Sequence, residues 1–167
     1  MFGKKQSEKP YDSTQDTLAH IRTVQAKIGI VIDQLYRRAV EHDKTKLEAP
    51  EKATFDEMTP KLKGSTYGSD EYKAFLAEMQ TALRHHYANN RHHPEYFDHH
   101  METGFTGIAA ITHMNLIDLV EMFCDWAAAV ERHEDGDLKK SIAINAERFH
   151  LDPQLVYILE NTVGLLS

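Results

Sequence analysis

The stretch HHYANNRHHPEYFDHH, residues 85 to 100, places six of the chain's eleven histidines within sixteen positions. Imidazole is the commonest protein ligand for transition metals, so such a cluster either holds a metal or is a polar loop rich in histidine. The doublets are interrupted by Asn, Pro and Glu and lie mid-chain, which sets an expression tag aside. A second informative feature is the dipeptide His42-Asp43, followed by Lys-Thr-Lys. Adjacent side chains on a helix diverge by about 100°, so both can reach one cation only at a helix end or in a crevice between helices. A carboxylate beside a neutral imidazole suits Mn, Fe, Co, Ni or Zn better than Ca or Mg. Alone, the dipeptide fits a solvated helix end equally well.

Other residues supply the company it needs. His86 shares the apolar stripe of Tyr72, Phe75, Leu76, Met79 and Leu83, and burying it without a partner would be costly, whereas His85 points elsewhere. His92 and His93 follow within one turn-like segment stopped by Pro94, while His99 and His100 fall on an expected surface segment. Asp118, Glu121 and Asp125 stand at i, i+3 and i+7 on one face of an apolar helix. A carboxylate row facing imidazoles is how a helical bundle charge-balances one or two cations, and Asp118 is the favoured ligand. The alternative is that Asn115 and Asp118 form a capping pair and that Glu121 or Asp125 meets an arginine. His20 precedes His42 by twenty-two residues, about 33 Å on one unbroken helix. It joins the site only if the chain folds back near Gly29 to Val31; otherwise it is a partly buried polar residue.

The elements that must position these groups are helical almost throughout. A first helical region opens at Ser13 and runs to about Asp43, with Gly29 expected to break it. A short helix fits Glu51 to Leu62, KGSTYGS reads as a loop, and Ser69 caps the helix that carries His86. NLIDLVEMFCDWAAAVERH should be the core helix, LKKSIAINAERFH forms another, and Asp152-Pro153 marks the start of the last. The expected fold is all-α: a flexible arm at residues 1–12, then a single domain over 13–167. At 167 residues and 41% apolar content the chain suffices for one core. A net charge of -7 disfavours long nucleic acid, which needs a basic face. No apolar run approaches the ~20 residues of a membrane span. The one cysteine, Cys124, is expected to be buried and inert, which suits a reducing cytoplasm.

In order and rough spacing, His20, His42-Asp43, His86, His92-His93 and Asp118 resemble the HD-domain superfamily of metal-dependent phosphohydrolases, whose signature is H, HD and a distant D. HDKTK also resembles the HDxxK-type motif of the HD-GYP branch, although Pro-Glu-Tyr follows the second histidine doublet where that branch has Gly-Tyr-Pro. HDKTK, HHYANNRHHPEY and EMFCDW are closer still to an uncharacterised HD-like family common in bacteriophages and bacteria, over roughly residues 15 to 130. The resemblance implies an HD-like helical bundle with one or two divalent transition metals in a bacterial or phage-infected cytoplasm. It implies that His20, His42, Asp43 and Asp118 hold one metal and that Asp43, His86 and His92 hold the second.

The function expected is hydrolysis of a nucleotide or similar small phosphate ester by metal-bound hydroxide. Lys46, His93 and Glu121 are the candidate catalytic residues, Lys46 stabilising developing charge and His93 handling protons. Lys46 also fits a solvated lysine near a helix end. The superfamily also contains diiron oxygenases with the same ligand set, distinguished by iron content and oxygen uptake. A zinc-stabilised interaction domain would instead show a closed four-ligand site. Either chemistry is compatible with a homo-oligomer.

Overall fold

The structure of the protein is a computed structural model that describes residues 11–66, 68–100, 111–132 and 136–166, without the side chains of residues 99 and 100. The arm expected at 1–12 therefore falls almost wholly outside the described residues, as do the side chains of His99 and His100. Among the described residues there is no strand, and the all-α expectation holds. The helices are α1 (Thr14–Glu41), α2 (Glu51–Gly64), α3 (Asp70–Glu78), α4 (Gln80–Asn89), α5 (Glu95–His100), α6 (Leu116–Val130), α7 (Leu138–Phe149) and α8 (Pro153–Thr162). A short 3-10 turn, Lys44–Leu47, links α1 to α2. No helix among the described residues is long and apolar enough to cross a membrane.

Local chemistry starts most of these helices where the sequence places them. The Ser69 side chain accepts from the Tyr72 amide, Asp137 accepts from Lys139 and Lys140, and Asp152 accepts from Gln154 ahead of Pro153. Asn115 and Asp118 form a reciprocal capping box at the start of α6. Met122, Phe123 and Trp126 of α6 then pack with Ile142 and Phe149 of α7, Leu159 of α8, and Phe97 and Met114. This core holds α6 rigidly and turns its carboxylate row away towards α1 and α4.

Three expectations are corrected. The stripe through Tyr72 and His86 belongs to two helices, because the chain turns at Met79, which is itself 1% exposed and plugs the junction between α3 and α4. Cys124 is exposed: with Val120 and Ala128 it forms the side of α6 that the core does not cover. Gly29 does not break α1, which is one helix of 28 residues. A lone glycine inside a helical run costs only about 1 kcal/mol, too little to stop a helix whose flanks all favour it. A Cβ built at Gly29 meets nothing within 4 Å. Gly29→Ala should therefore raise unfolding stability by about 0.5–1 kcal/mol, read as a higher urea midpoint; a loss of stability would show that the chain needs to bend there.

Candidate metal centre

The end of α1 solves the problem of pointing two adjacent side chains at one crevice. His42 leaves the helix with ψ 127, and Asp43 follows in the left-handed region with φ 58. Asp tolerates that conformation better than most residues, but holding a non-glycine residue there still costs on the order of 1–3 kcal/mol. That conformation brings Asp43 Oδ2 to 3.6 Å from His42 Nε2. Helix α4 contributes His86 from its buried face, the Asn90–Pro94 turn contributes His92 and His93, and α6 contributes Glu121 and Asp125.

These side chains form three overlapping groups whose ligand atoms lie within 4.8 Å of one another: Asp43 with His86, His92 and His93; His42 with His92 and Glu121; and His42 with Asp43 and Asp125. Asp43 Oδ1 is 3.2 Å from His86 Nε2 and 3.4 Å from His92 Nε2, while Asp43 Oδ2 is 3.6 Å from His42 Nε2. His42 Nε2 is also 3.6 Å from Asp125 Oδ1, and the Nε2 atoms of His86 and His93 are 2.9 Å apart.

The opposite edges of the rings explain this convergence. Glu121 Oε1 lies 2.9 Å from His42 Nδ1 and 3.1 Å from His92 Nδ1. Glu51, completely buried, places Oε2 2.9 Å from His86 Nδ1 and accepts a hydrogen bond from Thr45 Oγ1 at 3.0 Å. A carboxylate only accepts, so the three Nδ1 atoms carry protons, and in the neutral form of each ring the Nε2 lone pair faces Asp43. This carboxylate–histidine arrangement is how proteins orient imidazoles on a metal.

The donor set fits a transition metal on two counts. Asp43 Oδ1 and His92 Nε2 are buried with no hydrogen-bond partner, a costly state that a cation relieves. With metal–ligand bonds of about 2.0–2.2 Å, neighbouring ligand atoms on an octahedral or tetrahedral ion are about 2.8–3.6 Å apart, a range that holds the separations of 2.9 to 3.6 Å given above. The two oxygens of Asp43 face different imidazoles, and Oδ2 is also paired with Lys46 Nζ at 2.5 Å.

Without a metal the same carboxylates favour protonated imidazoles, so metal binding must displace protons. Hydrogen bonding to Asp125 and Glu121 pushes the His42 imidazole up to about 10 against the opposing effect of burial. Burial alone would raise the Asp43 carboxyl, but His86, His92 and the Lys46 ammonium outweigh it and hold the group well below the usual carboxylate range. Burial, followed by its histidine neighbours, keeps His93 neutral.

Of the residues expected at the centre, His42, Asp43, His86 and His92 converge there. His20 does not: it is exposed on α1, about 33 Å up an unbroken helix from His42. Asp118 does not either, because the Arg38 and Arg91 guanidiniums and the Asn115 amide already occupy its carboxylate. Asp125, two turns further along the same face, stands beside His42 and Asp43. His93 and Glu121 also lie in the cluster: His93, half-buried, has its Nε2 2.9 Å from that of His86, and Glu121 Oε1 contacts two rings. His85 is off the metal-facing cluster, as its helical phase requires, with Nδ1 2.8 Å from Glu51. Glu51 escaped the sequence reading; its only signal is a carboxylate at a helix start, where dipole compensation is the ordinary explanation.

The chain belongs to a family of unknown function, DUF5662, which matches residues 9–165. Neither the curated proteins nor the solved structures yield a match.

Two outcomes follow from this geometry. Glu121→Gln should weaken zinc or manganese affinity by about 10–100-fold while Asp118→Asn leaves it nearly unchanged, measured by competition with a chelating dye. In chelator-treated protein, His42 contributes stability that is complete below its ordinary pKa of about 6.5. That contribution disappears as pH rises through about 10. The urea midpoint should therefore fall between pH 7 and pH 10, and should fall less in His42→Ala; equal slopes in the two proteins would contradict the assignment.

Proposed function

We propose that the chain is a metal-dependent phosphohydrolase acting on a nucleotide or a related small phosphate ester. The observation that carries this reading is a cleft of about 600 Å³ that opens at Asp43 and is lined by Lys46, Lys63 and Arg132 together with Phe55 and Tyr72. A cleft that touches the candidate ligand Asp43 and sets three cations against Asp43 and Asp56 suits an anionic substrate, and the aromatic rings suit a flat organic group attached to it. The likeness of HDKTK and the following histidines to the HD superfamily supports the same chemistry, although this centre draws on Asp125 instead of Asp118 and on nothing from the N-terminal part of α1.

A divalent metal bound there supplies Lewis acidity and lowers the pKa of a water towards about 7. The chain's own residues do the rest. Asp43 and its four histidines fix where the reacting phosphorus must sit. Lys46 Nζ is held 2.5 Å from Asp43 Oδ2 and 5.0 Å from the centre of the Phe55 ring, at the junction of the centre and the cleft. From that position it neutralises charge developing on phosphoryl oxygens. Lys63 and Arg132, further along the cleft, bind the anionic substrate before and after reaction.

Lys46→Met keeps the aliphatic length and every ligand, so metal content and fold should survive. Hydrolysis across a panel of nucleotides and generic phosphate esters should fall by about 10–1,000-fold. Unchanged turnover would return Lys46 to a purely structural pairing with Asp43, and no hydrolysis by the metal-loaded wild type on any ester in the panel would sink the phosphohydrolase reading.

A further inference from the structure

Helix α1 buries none of its 28 residues, yet it is rich in aliphatic side chains. Leu18, Ile21, Val24, Ile28, Val31 and Ile32 are between 38% and 57% exposed. At 100° per residue the six fall within a band about 140° wide, the pattern of a helix built to cover something. The same band continues through Leu35, Ala39 and His42, and there it faces α6: these residues line a groove with Val120, Cys124 and Asp125. Arg38 already reaches Asp118 in the first turn of α6. Beyond that point α6 has ended, and the stripe runs on without a partner among the described residues.

We infer that the stripe is covered by the same stripe of a second copy, in an antiparallel α1–α1 pair. Three observations select this occupant. The six side chains leave on the order of 500 Å² of apolar surface per chain, so pairing them buries at most about 1,000 Å², the threshold of a specific interface. The one polar residue inside the band, Gln25, lies at its midpoint. Centring the pair there sets Gln25 against its own copy, Leu18 opposite Ile32 and Ile21 beside Ile28, so that amide meets amide and aliphatic meets aliphatic. The stripe is also continuous with the α1–α6 groove. In an antiparallel pair the partner's first helical turn, preceded by a Tyr11 that is 79% exposed, lies opposite residues 33 to 36 and meets the groove at its Leu35 end. A parallel pair would crowd both domain bodies at one end and leave the groove open. The interface is independent of the chemistry at the centre.

Sedimentation equilibrium of the full chain tests this, with a monomer mass of 19.2 kDa as reference. The wild type is expected at twice that mass at about 100 µM, and the double variant Ile21→Glu/Ile28→Glu at the monomer mass, with helicity and metal content retained. Both substituted positions are exposed within one chain, so loss of association is separable from unfolding. In a Cys124→Ser background, mild oxidation should link Gln25→Cys chains into disulfide dimers and leave Leu18→Cys chains unlinked. A monomeric wild type at that concentration, a dimer indifferent to the two glutamates, or efficient linkage through Leu18→Cys would each overturn the proposal.

Discussion

The Asp43 carboxylate lies among imidazole nitrogens that have committed their protons elsewhere. His42 and His92 give theirs to Glu121 and His86 gives its own to Glu51, so in the neutral form of each ring the Nε2 atom meets Asp43 as a lone pair. Without a metal, the positive charge opposite Asp43 has to come from the Lys46 ammonium and from protons on His42 and His92, whose imidazoles their carboxylate neighbours push upward against burial. The arrangement becomes favourable only when positive charge sits among these groups. Everything else in the fold can be understood as holding that constraint in place.

The left-handed backbone at Asp43 is tolerable because both ends of the strained segment are fixed. Helix α1 is pinned to α6 by Arg38, which reaches both Asp118 and Glu121, and the following turn is tied to α2 and α4 through Thr45, Glu51 and His86. Asp118 thus acts on the centre at one remove: it caps α6 and anchors the arginine that steadies Glu121. The hydrophobic core built by α6, α7 and α8 lies on the far side of α6, so the carboxylate row stays rigid without being drawn into the core.

How much of this the sequence reveals depends on whether the controlling interaction is local. Caps are local, and Ser69, Asn115 and Asp152 mark their helix starts, although Ser13, which with Asp16 has the capping-box spacing, makes no side-chain cap at α1. Helical phase is nearly as local, and it separates His86 from His85. Choices between long-range partners are not. Asp118, Glu121 and Asp125 occupy one face and look alike in sequence; which of them meets an arginine, which orients rings and which joins the ligands depends on where Arg38 and Arg91 arrive from other elements. Gly29 misleads for a related reason, because the same residue ends a helix only when the backbone turns left-handed after it, and here the helix simply continues. Glu51 is illegible because its significance lies entirely in reaching His86 from another helix.

The central claim is that the Nε2 atoms of these histidines and the Asp43 carboxylate hold a transition metal. X-ray absorption at the metal edge, on protein prepared without chelator, addresses it most directly. The account predicts one or two equivalents of metal per chain, a first shell of nitrogen and oxygen at about 2.0–2.2 Å, and outer-shell scattering from at least three imidazoles that collapses in Asp43→Ala. A sample with substoichiometric metal, or one whose spectrum is the same in Asp43→Ala, would contradict it.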